Sequence, residues 1–151
     1  MRKFILMMAL SPLIGLAPAM GMAGDAPASV SESKTASDLA NIALVKAFVA
    51  AWNDPDHAAQ YLSDKAVVRM EENKPALVGR RAYADAVKPY LALGQHFSVR
   101  YLEIFARGPL VVTRRIDTIE APGKTDAAYE LVGVFVVKDG KIIEWSDFAA
   151  K

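Results

Sequence analysis

Three charged residues in the second half of the sequence have the types and spacing for acid–base chemistry. Arg115 and Asp117 stand two residues apart in the largely apolar segment 110–119, and Asp147 stands in the segment 141–148. Both segments are typical of β-strands, in which alternate side chains share a face, so Arg115 and Asp117 point the same way. A guanidinium between two carboxylates can bind both and make them titrate differently. One acid then serves as general base and the other as general acid, although the same spacing also occurs in structural ion pairs.

The face on which Asp147 lies follows from a turn earlier in the same hairpin. The Asp-Gly pair at 139–140 is typical of a type I′ turn, and the register that it predicts places Val132 opposite Asp147. This face is apolar except for Asp147, whose carboxylate is costly to bury unless it is paired, and Arg115 is its natural partner. We expect five apolar residues on this side of the sheet to line a pocket: Val111, Val132, Val134, Ile143 and Trp145.

The opposite face of the same strands is also apolar. Four large side chains are predicted to point outward there: Tyr129, Leu131, Phe135 and Val137. Such a patch is too apolar to be left facing water, and burying it against a second copy stabilises association by roughly 25 cal/mol per Å² before entropic costs. The sequence therefore predicts a homodimer.

Upstream of these strands the apolar residues recur with helical spacing. Between 38 and 52 six of them fall on one face of a predicted first helix: Leu39, Ile42, Val45, Phe48, Val49 and Trp52. A short second helix is predicted to begin at Pro55, capped by Asp54, and a third to cover 80–93.

The remaining segments read as strands, at 66–70, 76–78, 97–105, 110–119, 127–137 and 141–148. Helices followed by a long antiparallel meander indicate an α+β fold. A curved antiparallel sheet with about three helices packed across it encloses a cone-shaped pocket, which is a common site for a small ligand.

Four segments resemble a known family. They are 112–117 (Val-Thr-Arg-Arg-Ile-Asp), 140–148 (Gly-Lys-Ile-Ile-Glu-Trp-Ser-Asp-Phe), 48–53 (Phe-Val-Ala-Ala-Trp-Asn) and 73–80, with Asn-Lys-Pro before Val-Gly-Arg. Over about residues 39–148 the chain resembles the limonene-1,2-epoxide hydrolase family within the NTF2-like (SnoaL-like, ketosteroid isomerase-like) superfamily.

The resemblance implies a cone-shaped NTF2-like fold and a hydrolase that adds water to a small apolar epoxide without a cofactor. Carried over by motif position, Asp147 is the base that activates water, Asp117 is the acid that protonates the epoxide oxygen, and Arg115 bridges them. Asn73 matches an asparagine that helps to hold the water. The sequence departs from the family at a water-holding tyrosine, which segment 70–73 lacks. Three other tyrosines are candidates to replace it: Tyr61, Tyr83 and Tyr101.

Two other functions stay open, because a fold alone does not define a function. One is a SnoaL-like or ketosteroid isomerase-like enzyme that moves a proton beside a carbonyl and needs an acidic tyrosine. The other is a non-catalytic exported protein that binds a small ligand. The missing tyrosine favours these two, whereas the Arg115, Asp117 and Asp147 set favours the hydrolase.

The N-terminus predicts export. Arg2 and Lys3 precede an apolar run from Phe4 to Leu16 and then small residues up to Ala23, which is the layout of a cleavable signal peptide. We expect residues 1–23 to be removed, 24–35 to form a flexible leader and 36–151 to form the domain. The product is expected to be periplasmic or secreted, with no stable membrane insertion after cleavage.

Composition narrows the partners. Removing Arg2 and Lys3 lowers Lys plus Arg from 18 to 16 against 17 Asp plus Glu, so the mature net charge of −1 does not favour nucleic acid. There is no cysteine for a disulfide, and His57 and His96 are isolated, which argues against a metal site. With no glycine-rich phosphate loop either, the expected ligand is a small apolar molecule bound without a cofactor or a metal.

Overall fold

The computed structural model describes residues 35–150. The predicted signal peptide and all of the predicted leader except Thr35 lie outside the described residues. Three helices, one 3₁₀ turn and six strands follow one another: α1 (Ala36–Ala50), α2 (Pro55–Ala58), the turn Ala59–Tyr61, β1 (Leu62–Arg69), β2 (Leu77–Val78), α3 (Arg80–Ala92), β3 (His96–Arg107), β4 (Leu110–Glu120), β5 (Ala127–Lys138) and β6 (Lys141–Ala149). The predicted α+β architecture is confirmed. None of the helices in this part of the chain is long and apolar enough to cross a membrane.

Helix α1 is fixed at its start by a capping box. The Thr35 hydroxyl accepts from the Asp38 backbone N–H, and the Asp38 carboxylate accepts from the Thr35 N–H. The Asp38 carboxylate also accepts from the backbone N–H of Gly108 at 2.8 Å, which ties α1 to the β3–β4 turn. This bond sets the position from which α1 packs across β3 and β4.

The sheet has the order β2-β1-β6-β5-β4-β3. Strands β3 to β6 form the predicted antiparallel meander, but β1 pairs with β6 in parallel, so the sheet is mixed and not wholly antiparallel. Tight hairpin turns oblige neighbouring strands to run antiparallel, whereas β1 and β6 are far apart in sequence and no turn sets their relative direction.

The predicted register of the β5–β6 hairpin was wrong beyond the turn. Asp139 and Gly140 have positive φ angles of 51° and 69°, as a type I′ turn requires. A β-bulge then leaves Ile143 without an opposite residue, so that Gly133, and not Val132, pairs with Asp147. One extra residue exchanges the two faces of a strand. The β5 residues that were predicted to share a face with Asp147 therefore lie on the opposite face of the sheet.

The inner face of the sheet, defined as the face that carries Arg115 and Trp145, packs against the helices. Phe135 and Val137 are buried there, so the prediction that they point outward was wrong. The Trp145 ring stacks on Phe135 with centroids 5.8 Å apart and on Trp52 at 5.2 Å, and it meets Phe48 edge-on at 5.3 Å. This aromatic cluster forms a rigid support beside the charged residues.

Candidate acid–base site

The three charged residues singled out in the sequence meet on the inner face. Arg115 is fully buried, and its Nε donates to the Asp117 carboxylate at 2.9 and 3.2 Å. Its Nη2 donates to Asp147 Oδ2 at 2.6 Å, and its Nη1 donates to Thr113 Oγ1 at 3.0 Å. One guanidinium therefore binds both carboxylates through separate donors, with the hydroxyl of Thr113 as a third acceptor.

Arg115 reaches from β4 to Asp147 on β6 by crossing the strand between them. At the crossing point β5 has Gly133, the Cα partner of Asp147. A Cβ atom at Gly133 would collide with Arg115 Nη1 and would lie 2.7 Å from Thr113 Oγ1 and 2.9 Å from Asp147 Oδ1. Glycine is thus the residue that allows the guanidinium to pass. Sequence reasoning missed Gly133, although a glycine inside a strand is a known signal of close approach.

We expect Gly133→Ala to lower the free energy of unfolding by about 1–3 kcal/mol, the usual range for an overpacked core. The added methyl displaces the guanidinium and weakens its bond to Asp147. Urea denaturation followed by tryptophan fluorescence measures the change. As a control, Ala128→Val enlarges an exposed position of the same strand and should alter stability by less than about 0.5 kcal/mol. A Gly133→Ala variant as stable as the wild type would contradict this role.

Two tryptophans complete the surroundings of the charged cluster. Trp145 Nε1 donates to Asp147 Oδ1 at 2.7 Å, so both oxygens of Asp147 accept a hydrogen bond. The Trp52 ring lies 5.2 Å from the Arg115 guanidinium carbon, within the range of a cation–π interaction. Sequence analysis placed Trp52 on the apolar face of the predicted first helix, whereas it lies just beyond the end of α1, and assigned it no role beside Arg115.

Burial dominates the titration of the cluster. It raises the pKa of Asp147, although Arg115 and Trp145 oppose the change. Burial also raises the pKa of Asp117; the charge of Asp147 adds to this and Arg115 opposes it. For Arg115, burial disfavours the charged form, but the two carboxylates outweigh it and raise the pKa of the guanidinium. One fixed positive charge thus faces two carboxyls whose pKa values are both raised by burial, so that their titrations are coupled.

The two carboxylates lie in the wall of a pocket of about 550 Å³. Six buried residues form its floor: Trp52, Tyr83, Val87, Asp117, Trp145 and Asp147. Four half-buried residues form its middle: Met70, Phe97, Ile119 and Leu131. Six exposed residues form its rim: Glu71, Glu72, Asn73, Tyr90, Tyr129 and Ala149. The lining thus changes from a polar and aromatic rim to a buried, largely aromatic floor that contains the two acids.

The structure places the predicted pocket residues unevenly. Trp145 is in the floor, and Asn73 is in the rim. Val132, Val134 and Ile143 are not in the wall, so the prediction for them was wrong. Ile143 is the unpaired residue of the bulge, and the bulge places Val132 and Val134 on the face opposite Asp147. Val111 shares the face of Arg115 but is fully buried in the core and is not part of the wall either.

The three candidate tyrosines differ in position. The Tyr61 hydroxyl lies 3.3 Å from His57 Nε2, and Tyr61 is not part of the pocket wall. The Tyr101 hydroxyl is buried with no hydrogen-bond partner among the described residues, and burial raises its pKa to about 12. Tyr83 is the one of the three that lines the pocket, and burial raises the pKa of its hydroxyl as well, which keeps it protonated. Tyr129 and Leu131 line the pocket, so the prediction that they point outward was wrong, and the sequence analysis assigned no role to the rim residue Tyr90.

Metal ligands are not grouped in the part of the chain that the structure describes. Within residues 35–150 no three His, Cys, Asp or Glu side chains lie close enough together to hold a metal ion. In the site itself, Asp117 and Asp147 are carboxyls that can transfer protons, and Arg115 donates hydrogen bonds to both.

Comparison with known proteins identifies relatives of this fold. The SnoaL-like domain family matches residues 45–145. A solved structure of an epoxide hydrolase from M. tuberculosis, described as LEH-like, is 28% identical with a TM-score of 0.67, over 75% of this chain and 84% of that chain. A SnoaL-like polyketide cyclase from Jannaschia sp. CCS1, described as putative, is 19% identical with a TM-score of 0.65, over 78% and 90%. No curated protein matches the chain. These structures confirm the predicted NTF2-like fold.

Proposed function

Since the chain belongs to the SnoaL-like domain family, we propose that it is a hydrolase that adds water to a small apolar epoxide. The observation that supports this most directly is the Arg115 guanidinium, which binds Asp117 and Asp147 at the floor of one pocket. Ring opening by water needs a base and an acid near the same substrate, and the pocket wall offers both. The likeness to the M. tuberculosis epoxide hydrolase is further support.

In the proposed reaction, ionised Asp147 takes a proton from water while the water oxygen forms a bond to one epoxide carbon. The bond between that carbon and the epoxide oxygen breaks, and protonated Asp117 gives its proton to the oxygen. The product is a vicinal diol, and no oxidation or reduction occurs. Arg115 stays charged and donates to both carboxyls throughout, and the cycle closes when Asp147 gives its proton to solvent water and Asp117 takes one from it.

Holding the water is assigned to two residues of the pocket wall. Asn73 supplies an amide at the rim, and Tyr83 supplies a hydroxyl at the floor. The raised pKa of Tyr83 means that this hydroxyl remains a donor at neutral pH. Tyr83 thereby takes the place of the tyrosine that is missing from the segment 70–73.

Diol formation from a panel of small cyclic epoxides tests the proposal. The pH profile of the enzyme with one of these substrates tests the roles of the two aspartates. The value of kcat/KM should fall at low pH as Asp147 becomes protonated and at high pH as Asp117 ionises. Because burial raises both pKa values, the acidic limb should lie above the ordinary aspartate range of about 3.9. Diol formation that is independent of pH between about 3 and 9 would contradict the acid–base assignment.

A second enzymatic function has a specific feature in its favour. Protonated Tyr83 could donate to a carbonyl oxygen while an aspartate removes the neighbouring proton, as an isomerase or cyclase of this fold would require. Deuterium exchange beside the carbonyl of a small cyclic ketone, lost in Tyr83→Phe, would favour this function over epoxide opening. No turnover of any substrate, with an apolar dye still bound, would favour a non-catalytic binding protein.

We also propose export by way of the predicted signal peptide, which N-terminal sequencing of the exported protein would test. The basis remains the order of basic, apolar and small residues between Arg2 and Ala23.

The homodimer is proposed on a corrected surface. The outer face of the sheet, opposite Arg115 and Trp145, carries an apolar patch of Val112, Ile116, Val132, Val134, Val136 and Phe148. Light scattering should give twice the monomer mass, and Val134→Glu at the centre of the patch should halve it. The exposed Val78, on the edge strand β2, offers a control, since Val78→Glu should leave the mass unchanged. A monomeric wild type at micromolar concentration would refute the dimer.

A further inference from the structure

The charge of the pocket wall is one-sided. Four carboxylates line the pocket, two in the floor and two in the rim: Asp117, Asp147, Glu71 and Glu72. Among residues 35–150, no lysine, arginine or histidine lines the pocket, and Arg115, which binds the two floor carboxylates, is fully buried and is not part of the wall. Arg115 offsets charge in the floor and Lys74 pairs with Glu71, so the excess negative charge lies at Glu72 in the rim, where an anionic group meets repulsion.

The rim adds aromatic faces to this negative charge. Tyr90 and Tyr129 are about half exposed, and both line the pocket together with the two rim glutamates. Glu72 is held in place, because its Oε1 accepts from the backbone N–H of Ala149 at 3.2 Å. Glu71 contributes less, since its Oε1 lies 3.1 Å from Lys74 Nζ. A carboxylate and two tyrosine rings in the rim of one pocket are a setting that attracts an organic cation.

From these features we infer that the ligand of this pocket has an apolar body that fits the aromatic floor and a cationic end, of the ammonium class, that stays at the rim. This specifies the substrate class of the proposed hydrolase and so rests on that proposal. The reactive end lies at Asp117 and Asp147, and the ammonium lies between Glu72 and the rim tyrosines. Carboxylate-bearing analogues of the same size should bind more weakly, because the rim carboxylate repels them.

Binding can be measured without turnover, because both tryptophans of the chain, Trp52 and Trp145, are in the pocket floor. Three probes share one apolar body: benzyltrimethylammonium, benzyl alcohol and phenylacetate. In fluorescence titrations at low salt the ammonium should bind about threefold to tenfold more tightly than the alcohol, and phenylacetate more weakly than both. The ammonium preference should shrink as salt is added.

One charge-removing variant localises the effect. Glu72→Gln keeps an oxygen that can accept from Ala149 and should reduce the ammonium-to-alcohol affinity ratio by about threefold, with alcohol binding unchanged. Glu103→Gln, at an exposed position of β3 outside the pocket wall, should change neither. Equal binding of the three probes, or tightest binding of phenylacetate, would overturn the inference.

Three epoxide substrates separate this inference from the proposed function. They are styrene oxides with a para trimethylammoniomethyl, hydroxymethyl or carboxylate group. Turnover in the order ammonium, alcohol, carboxylate supports both. No turnover of any epoxide, with the binding order intact, defeats the hydrolase and leaves the ligand class standing. Turnover at equal rates, with equal binding of the three probes, supports the hydrolase and overturns the ligand class.

Discussion

Asp147→Asn is expected to lower kcat/KM for epoxide opening by at least about 10²-fold, the low end for the loss of a general base. An amide of the same shape cannot take a proton from water at any accessible pH. Asp147 is also the carboxylate that both Arg115 and Trp145 orient, at 2.6 and 2.7 Å, so the substitution removes a base that is held in position. The measurement is the initial rate of diol formation by wild type and variant, over a range of concentrations of one epoxide that the wild type opens.

Two comparisons show whether the loss is chemical. Glu130→Gln removes a carboxylate from the outer face of β5, where it pairs with Arg114 at 2.7 Å, and should leave kcat/KM within about twofold. Asp117→Asn should also lose about 10²-fold, through the acid step. The acidic limb of the pH profile should vanish in whatever activity Asp147→Asn retains, and the alkaline limb in that of Asp117→Asn. Equal rates for wild type and a folded Asp147→Asn would remove Asp147 from the mechanism.

The sequence is enough to predict that Arg115, Asp117 and Asp147 lie together. It does not show that the Arg115 side chain crosses β5 at Gly133 to reach Asp147. Alternation along β4 placed Arg115 and Asp117 on one face, and the apolar setting of Asp147 indicated a buried partner. The turn at Asp139-Gly140 has the predicted positive φ angles, because those two residue types tolerate them. These features are local or depend on a two-residue period, which is why they can be read from a chain.

The wrong assignments depend on contacts between distant segments. The bulge at Ile143 has no distinctive residue, and without it Val132 and Val134 seem to face Asp147. Placing Gly133 under Arg115 requires knowing that a side chain crosses the strand at that point. The parallel pairing of β1 with β6 joins the two ends of the domain, and no turn between them sets its direction. Tertiary packing decides all three.

Arg115→Ala is expected to destabilise the fold by about 3–5 kcal/mol at neutral pH, the usual cost of leaving buried charges without their partner. The guanidinium is fully buried and binds Asp117 and Asp147 at once, so its removal leaves two carboxylates in an apolar site. Urea denaturation followed by tryptophan fluorescence measures the loss. Arg114→Ala is the matched control, because Arg114 is the next residue in the chain but pairs with Glu130 on the exposed face. This substitution should lower the free energy of unfolding by no more than about 1 kcal/mol.

The pH dependence of that loss distinguishes unpaired charge from lost packing. Burial already raises the folded-state pKa of Asp117 and Asp147, so their contribution to stability is greatest below the unfolded value of about 3.9 and is lost as pH rises through the folded values. Without Arg115 both folded values should rise further, which enlarges the loss at neutral pH. The stability difference between wild type and Arg115→Ala should therefore shrink as the pH is lowered toward about 4. A difference that stays constant between about pH 4 and 8 would mean that Arg115 stabilises the domain by its volume and not by its charge.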